Sequence, residues 1–223
     1  MKAFRITLSM AALLLCATLG AQHLRLPHIF SDHAVLQRES TVPVWGWGEP
    51  GKTVYLSASW NFRSLKTTVA DDGTWRFDLE TGKAGGPYVI RISCGKEALA
   101  MEDVMLGEVW VCSGQSNMDM PVGGYGFQEV EGSRDAILDA PETASAIRVF
   151  KINAPCYTEP QDDVDAQWKY SGPGVTAGVS AVGYFFAKRL TKALGVPVGI
   201  IVNAWGGSRI EPWMTREAIE GSG

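Results

Sequence analysis

The chain of 223 residues is long enough for one large domain or two modest ones, and 46% hydrophobic residues are ample for a packed core. The net charge of -4 is small and no run of lysine or arginine occurs, so nothing in the charge favours a nucleic-acid or anionic-membrane partner. A neutral partner fits this composition better.

Residues 1–21 predict an export signal. Lys2 and Arg5 give a positive start, and residues 6–19 form an apolar stretch followed by small residues. This stretch is shorter than the roughly 20 residues that span a bilayer, so we expect cleavage rather than anchoring. Lipid attachment at Cys16 is disfavoured because a bulky leucine precedes it. The mature protein is predicted to be secreted or periplasmic, with no membrane contact after cleavage.

Residues 22–101 predict an all-β, sandwich-like domain. Short runs rich in β-forming residues alternate with turns that contain glycine and proline. Regular short strands of this kind are typical of β-sandwiches. The runs are residues 42–47, 54–60, 65–69, 75–79 and 88–93.

Residues 102–223 predict an α/β domain, in which an apolar strand is followed by a loop and a helix. Residues 109–112 carry no polar interruption, as expected of a central parallel strand buried on both faces. Further strands are predicted at residues 146–150 and 198–202. Between them, residues 180–194 have apolar side chains at helical spacing and predict the longest helix.

A buried strand that runs into a tight polar turn at Ser116 carries the main functional signal. Such a turn sits at the carboxyl end of a strand, where open α/β sheets bind their ligands. Gly114 lets the backbone bend, and Ser116 can act as a nucleophile whose own N–H helps to bind an oxyanion. The spacing equally fits a serine that caps the next helix. Met118 also stands where a GxSxG elbow has its second glycine, so spacing alone leaves both readings open.

Several segments resemble the sialate O-acetylesterase family, within the SGNH-type hydrolases. The nucleophile block is Gly114-Gln115-Ser116-Asn117-Met118, preceded by Gly107-Glu108-Val109-Trp110. Further matching segments, in the family's order, are residues 30–38, 44–47, 50–51, 72–75, 85–88, 180–186 and 205–213. The resemblance implies an N-terminal β-domain followed by an SGNH-type, flavodoxin-like α/β/α domain.

The resemblance also implies roles for individual residues. Ser116 matches the nucleophile, and Gly207 stands where a backbone N–H helps to bind the oxyanion, although Gly207 also fits an ordinary tight turn. Asn117 is expected to orient the nucleophile loop through its amide, or to make only a local backbone bond. Trp205 and Trp213 are candidates for lining a sugar site, with core packing as the alternative.

The residues that would activate Ser116 are absent from the sequence. A serine hydroxyl needs a general base, usually histidine, held by a carboxylate. The three histidines, His23, His28 and His33, all precede Ser116. In the resembling family the triad Asp and His come late in the chain, after a Trp-Tyr-Gln-Gly-Glu-like segment that is also missing here. We therefore expect a C-terminally truncated fragment with an incomplete sheet and exposed apolar surface.

The predicted function is a secreted serine esterase that removes O-acetyl groups from sialic acid or related sugars through an acyl-enzyme. Its predicted partner is an O-acetylated sugar or glycan. No metal or organic cofactor is predicted, because Cys94, Cys112 and Cys156 form no CxxC pair and have no histidine nearby. A Cys94–Cys112 disulfide stays open. Two alternatives remain, an acetylxylan-type polysaccharide esterase and a non-catalytic carbohydrate-binding module.

Overall fold

The computed structural model describes residues 23–153, 157 and 159–221. The predicted export signal and Cys156 lie outside the described residues. The strands are β1 (Val35–Gln37), β2 (Thr41–Trp47), β3 (Thr53–Ala58), β4 (Asn61–Thr68), β5 (Thr74–Glu80), β6 (Gly85–Cys94), β7 (Glu97–Gly114), β8 (Ile147–Lys151), β9 (Trp168–Tyr170) and β10 (Val198–Ala204). The α-helices are α1 (Ser116–Asp119), α2 (Ser133–Leu138), α3 (Pro173–Ala177), α4 (Ala181–Leu194) and α5 (Arg216–Glu220). Within these ranges, every helix is too short or too polar to cross a membrane.

The first half of the described chain consists of strands in two sheets that share one core. β2 and β5 pair antiparallel as a separate two-stranded sheet, while β3, β4 and β6 belong to the large sheet. In β5, Trp75, Phe77 and Leu79 are buried and their neighbours are exposed, as the period of two along a strand requires. These side chains join Val54 and Leu56 of β3 in one apolar cluster.

The strand β7 connects this half to the parallel strands that follow. Its first part pairs antiparallel with β6, whereas residues from Glu108 to Gly114 pair parallel with β10. The large sheet has the order β4-β3-β6-β7-β10-β8-β9, and β1 pairs with β7. The result is a mixed, sheet-dominated α/β fold. The predicted domain boundary between residues 101 and 102 lies inside β7.

One edge of β7 is left without a strand partner over its last residues. Leu106 pairs with both Leu36 of β1 and Gly85 of β6, so these two strands flank β7 on opposite edges. β1 ends at Gln37, opposite Gly107, and from Glu108 to Gly114 the described residues pair β7 with β10 alone, so one edge of this part of β7 has no strand.

The prediction that residues 109–112 are buried on both faces was wrong, although they do form a strand. Cys112 is buried, but Trp110 is 44% exposed and Val111 is 67% exposed. The open edge is the physical reason, because it leaves these side chains without a neighbouring strand on one side.

The predicted helix at residues 180–194 is confirmed by α4. Ser180 begins it by accepting a hydrogen bond at Oγ from the N–H of Gly183 at 3.1 Å, and Gly195 ends it with φ of 67°. The helix buries Ala181, Gly183, Tyr184 and Ala187. Close packing is the reason for small residues on this face: a Cβ on Gly183 would lie 3.0 Å from Cys112 Sγ.

Some of the apolar residues that predicted α4 lie on its outer side. Val182 and Phe186 are exposed, and the Phe186 ring contacts Trp110 edge-on with ring centroids 5.0 Å apart. The open edge of β7 is therefore bordered by apolar side chains of a strand and a helix.

Candidate active site

The described residues present Ser116 at the carboxyl end of β7. Gly114 ends the strand with φ of 144°, a conformation that residues with a side chain rarely adopt. The one-turn helix α1 then begins at Ser116, which is exposed. Its Oγ donates a hydrogen bond to Gln115 Oε1 at 3.2 Å, and its N–H reaches the same oxygen at 3.4 Å.

The loop after β10 brings two glycines beside this serine. The N–H of Trp205 donates to the carbonyl of Gly114 at 2.9 Å, which continues the pairing of β10 with β7 beyond the strands. A Cβ placed on Gly206 would lie 3.8 Å from Ser116 Cα, so the two loops are in close contact. The tertiary structure thus unites segments that are about ninety residues apart in sequence.

The backbone amides of Gly206 and Gly207 differ in their availability. The N–H of Gly206 donates to Asp119 Oδ2 at 3.3 Å. The N–H of Gly207 has no acceptor among the described residues, and its φ of 77° fits a tight turn. Of the two amides, that of Gly207 is therefore the one free to donate to a ligand oxygen.

Asp119 lies one turn after Ser116 and was not singled out from the sequence. Its carboxylate accepts from Gly206 and, at 3.4 Å, from the hydroxyl of Tyr125. Burial and the charge of Asp119 raise the pKa of Tyr125, so this phenol keeps its proton and remains a donor. Asp119 thus links the nucleophile helix to the glycine turn.

Asn117 lies on α1 and is exposed. Its side chain makes no hydrogen bond with the described residues, so its orienting role stays a prediction.

Trp205 and Trp213 lie on the same loop. Trp213 Nε1 donates to Ser208 Oγ at 2.9 Å, and this hydroxyl donates to the carbonyl of Trp205 at 2.8 Å. Trp205 is 51% exposed, and both tryptophans line a cavity of about 620 Å³ that also includes Gly207. A sugar ring would find aromatic faces in this cavity, and the role of the two tryptophans in binding one stays a prediction.

A smaller cavity of about 270 Å³ borders the nucleophile loop directly. It is lined by Ser113, Gly114, Gln115, Ser208, Arg209, Ile210 and Trp213. Arg209 was not selected from the sequence, although it lies inside the family-like segment at residues 205–213.

None of the histidines reaches Ser116. His23 pairs with Glu97 at 2.6 Å, His28 with Asp163 at 2.9 Å, and His33 with Asp103 at 2.7 Å. Asp103 precedes Gly114 by eleven residues on β7, which corresponds to roughly 36 Å along an extended strand. The described part of the chain therefore contains no histidine base for this serine.

The group around Asp103 forms a polar cluster between the two halves of the fold. Arg148 is 2% exposed and donates to the carbonyls of His33 and Asp103, both at 3.0 Å. Asp103 also accepts from the hydroxyl of Tyr170. Burial alone would raise the pKa of Asp103, but the hydrogen bonds from Tyr170 and His33 and the charge of Arg148 outweigh it and lower this pKa. No local pattern in the sequence indicates this cluster, because its members come from four separate segments.

The described residues hold no group of three or more His, Cys, Asp or Glu side chains suited to a metal ion. Cys94 and Cys112 are both buried free thiols, so the disulfide left open by the sequence is not formed. Burial raises the pKa of both thiols.

An exposed serine at the end of a parallel strand, in contact with a glycine turn that carries one free amide, defines a candidate hydrolase site. Residues 106–220 match the family model for carbohydrate esterases described as sialic acid-specific acetylesterase. This match covers over half of the chain, and the chain belongs to that family.

The individual relatives agree with this assignment. The chain is 30% identical to the sialate O-acetylesterase of Mus musculus over 216 residues, which cover 89% of this chain and 39% of that protein. It is 31% identical to the sialate O-acetylesterase of Homo sapiens over 214 residues, covering 89% and 40%. A solved carbohydrate acetylesterase from Xanthomonas citri superimposes with a TM-score of 0.81 at 34% identity, covering 88% of this chain and 44% of that one. The chain thus spans about 40% of the length of its curated relatives.

Proposed function

We propose that this chain carries the nucleophile of a serine esterase that removes O-acetyl groups from sialic acid or related sugars. The observation that carries the proposal is the exposed Ser116 at the end of β7, in contact with the glycine turn that carries the free amide of Gly207. Family membership adds the acetyl ester as the bond that is cleaved.

The proposed reaction has two steps. Ser116 Oγ attacks the acetyl carbonyl, the sugar hydroxyl leaves with a proton, and an acetyl-enzyme forms. The N–H groups of Ser116 and Gly207 hold the oxyanion of each tetrahedral intermediate. The N–H of Ser116 is available for this because its bond to Gln115 is long, at 3.4 Å. Water then attacks the acetyl group and releases acetate.

The general base is proposed to come from polypeptide that the longer relatives carry beyond the matched part. Two observations support this. The three histidines of the chain lie away from Ser116, paired with other carboxylates. The edge of β7 beyond Gly107 lacks a strand partner among the described residues, which leaves room for further polypeptide beside the nucleophile.

The same proposal includes the finer architecture and the location. Residues 22–101 are a β-sandwich-like domain, and residues 102–223 are an incomplete SGNH-type α/β/α domain. The separate antiparallel sheet of β2 and β5 in the first half and the parallel pairing of β7, β10 and β8 in the second support this division, with β7 shared by the two halves. The protein is secreted or periplasmic, supported by the signal-like pattern of residues 1–21.

The first experiment traps the acyl-enzyme on the protein at its natural length, which is proposed to include the base that Ser116 needs. We expect 4-nitrophenyl acetate, an activated ester, to transfer one acetyl group to Ser116, and rapid quenching in acid to preserve the acetyl-enzyme before water hydrolyses it. Intact-mass measurement and peptide mapping detect the modification. The Ser116→Ala variant should stay unmodified. The control variant Ser64→Ala, which removes another exposed serine, should be acetylated at Ser116 like the wild type.

The second experiment measures acetate release from O-acetylated sialic acid by the protein at its natural length. Ser116→Ala should lower the rate by about a thousandfold or more, because the nucleophile acts as a unit with its base. Circular dichroism checks that the variant folds. Retained activity in a folded Ser116→Ala protein would remove Ser116 from the mechanism.

Two other functions remain candidates. An acetylxylan-type esterase uses the same chemistry, and relative rates on acetylated xylan and O-acetylated sialic acid distinguish it. A carbohydrate-binding module without catalysis is favoured by the exposed Trp205 in its cavity and by the missing base. Glycan binding by the natural-length protein without any acetate release would support this module.

A further inference from the structure

Arg209 is a cation without a protein partner beside the nucleophile loop. It lies two residues after Gly207. Arg209 and Gln115, the residue before Ser116, both line the small cavity. Among the described residues, no carboxylate pairs with Arg209 and no hydrogen bond involves its side chain. The lining of the cavity includes no acidic residue. The cavity therefore offers a positive charge that nothing in its wall neutralises.

The loop that carries Arg209 is held in place on both sides. Before it, Ser208 Oγ donates to the carbonyl of Trp205 and accepts from Trp213 Nε1. After it, the N–H of Trp213 donates to the carbonyl of Ile210 at 2.9 Å. These bonds fix the backbone around Arg209 without engaging its guanidinium, which is the arrangement expected of a binding residue.

The two cavities at this end of the sheet differ in charge. The larger one has aromatic walls and Glu159, and no lysine or arginine lines it. The smaller one has Arg209 as its charged residue. A guanidinium presents paired N–H donors that match the two oxygens of a carboxylate. A sugar with a carboxylate would thus place that group in the small cavity, while its neutral ring faces the tryptophans.

We propose that Arg209 binds the carboxylate of an acidic sugar and thereby selects acetyl esters of such sugars over those of neutral ones. The proposal deepens the esterase function proposed above and rests on it. Arg209 is a specificity residue in this scheme and takes no part in bond breaking. The group that Arg209 is proposed to bind is a sugar carboxylate, and both sialic acids and uronic acids carry one.

Equilibrium binding to the whole chain tests this proposal by calorimetry or NMR titration. The probes are N-acetylneuraminic acid, its methyl ester and glucuronic acid. We expect the free sialic acid to bind at least about tenfold more tightly than its methyl ester. Esterification removes the negative charge and one of the two carboxylate oxygens that accept hydrogen bonds from the guanidinium. Comparison of N-acetylneuraminic acid with glucuronic acid then shows whether the site prefers a sialic or a uronic acid.

Three variants locate the effect. Arg209→Gln should weaken binding of the preferred acid by about tenfold and leave the methyl ester unchanged. Arg209→Lys should bind the acid more tightly than Arg209→Gln but more weakly than the wild type, since lysine keeps the positive charge without the paired N–H donors of the guanidinium. Arg216→Gln, an exposed arginine on α5 that lines neither cavity, should bind like the wild type.

Equal affinity for the acid and its methyl ester would overturn the proposal, and so would the absence of measurable binding of either acid. An equal loss in Arg209→Gln for both ligands, or the same loss in Arg216→Gln, would also overturn it. Because binding is measured without acetate release, failure of the esterase proposal is seen separately, in the Ser116→Ala experiments. Acetate release combined with no preference for acids would reject only the role of Arg209.

Discussion

Gly107 lies where β7 changes neighbours from β6 to β10, and replacing it with alanine should distort the strand that leads to Ser116. An added Cβ would lie 2.1 Å from the carbonyl oxygen of Pro197 and 2.8 Å from its carbonyl carbon. Ordinary contact begins at 3.4 Å, so the backbone before β10 must move by more than 1 Å. That carbonyl accepts a hydrogen bond from the N–H of Glu108 at 2.9 Å, which the shift would weaken.

The expected cost for Gly107→Ala follows from these two terms. Overpacking against backbone costs about 1–3 kcal/mol, and a weakened hydrogen bond adds about 1 kcal/mol. We therefore expect a loss of about 3 kcal/mol, which lowers Tm by roughly 6–12 °C in a chain of this size. Urea and thermal unfolding followed by circular dichroism measure it.

Gly82→Ala is the matched control for this substitution. A Cβ on Gly82 meets nothing within 4 Å, and its φ is not in the left-handed region. Its stability should be unchanged or higher by up to about 1 kcal/mol, because alanine restricts the unfolded chain. A Gly107→Ala protein within about 0.5 kcal/mol of the wild type would refute the packing argument at this strand.

Three further predictions concern the edge strand, the polar cluster and the thiols. The unpaired edge of β7 and the exposed Val111 predict that the chain self-associates at high concentration, and Val111→Lys should reduce this association in sedimentation experiments; equal association of the variant and the wild type would show that this edge is not the contact. Because the pKa of Asp103 is lowered on folding, its contribution is complete above the ordinary value of 3.8 and is lost as the pH falls through the folded pKa. Asp103→Asn should therefore lower the free energy of unfolding by about 2–4 kcal/mol at pH 7, because Arg148 is left buried beside a neutral amide. The difference from the wild type should shrink as the pH falls below 3.8. A difference that stays constant in urea unfolding between neutral and acidic pH would contradict this role of Asp103. Cys94 and Cys112 should react with a thiol reagent only after unfolding; peptide mapping separates them from the other cysteines of the chain, and rapid labelling of either one in the native protein would contradict their burial.

Local signals identified several elements of this protein before any tertiary information. The helix α4 was recognised because Ser180 and Gly195 provide caps and the apolar spacing has a helical period, and each of these depends on residues within a few turns. The position of Ser116 after a strand follows in the same way from an apolar run and a glycine.

The apolar content of a segment did not reveal how deeply that segment is buried. Residues 109–112 read as a central strand, yet Val111 is largely exposed, because burial of a strand depends on which other strands pair with its edges. In α4, Val182 and Phe186 match the period of a buried face but are exposed, while Gly183 packs against Cys112 and Tyr184 is fully buried. The periodicity of apolar residues predicts that a helix has an apolar face, but it does not identify which other elements pack against that face.

The sequence by itself determined the strand that leads to Ser116, the turn that follows it and the family to which the chain belongs, because these rest on contiguous residues. Only the tertiary structure decided that the amide of Gly207 is free while that of Gly206 is bound by Asp119, and that Arg209 stands unpaired beside Gln115. It also paired His23, His28 and His33 with carboxylates, and none of the three hydrogen-bonds to Ser116. These are relations between distant segments, and they arise from the pairing of β7 with β10, which no local pattern specifies.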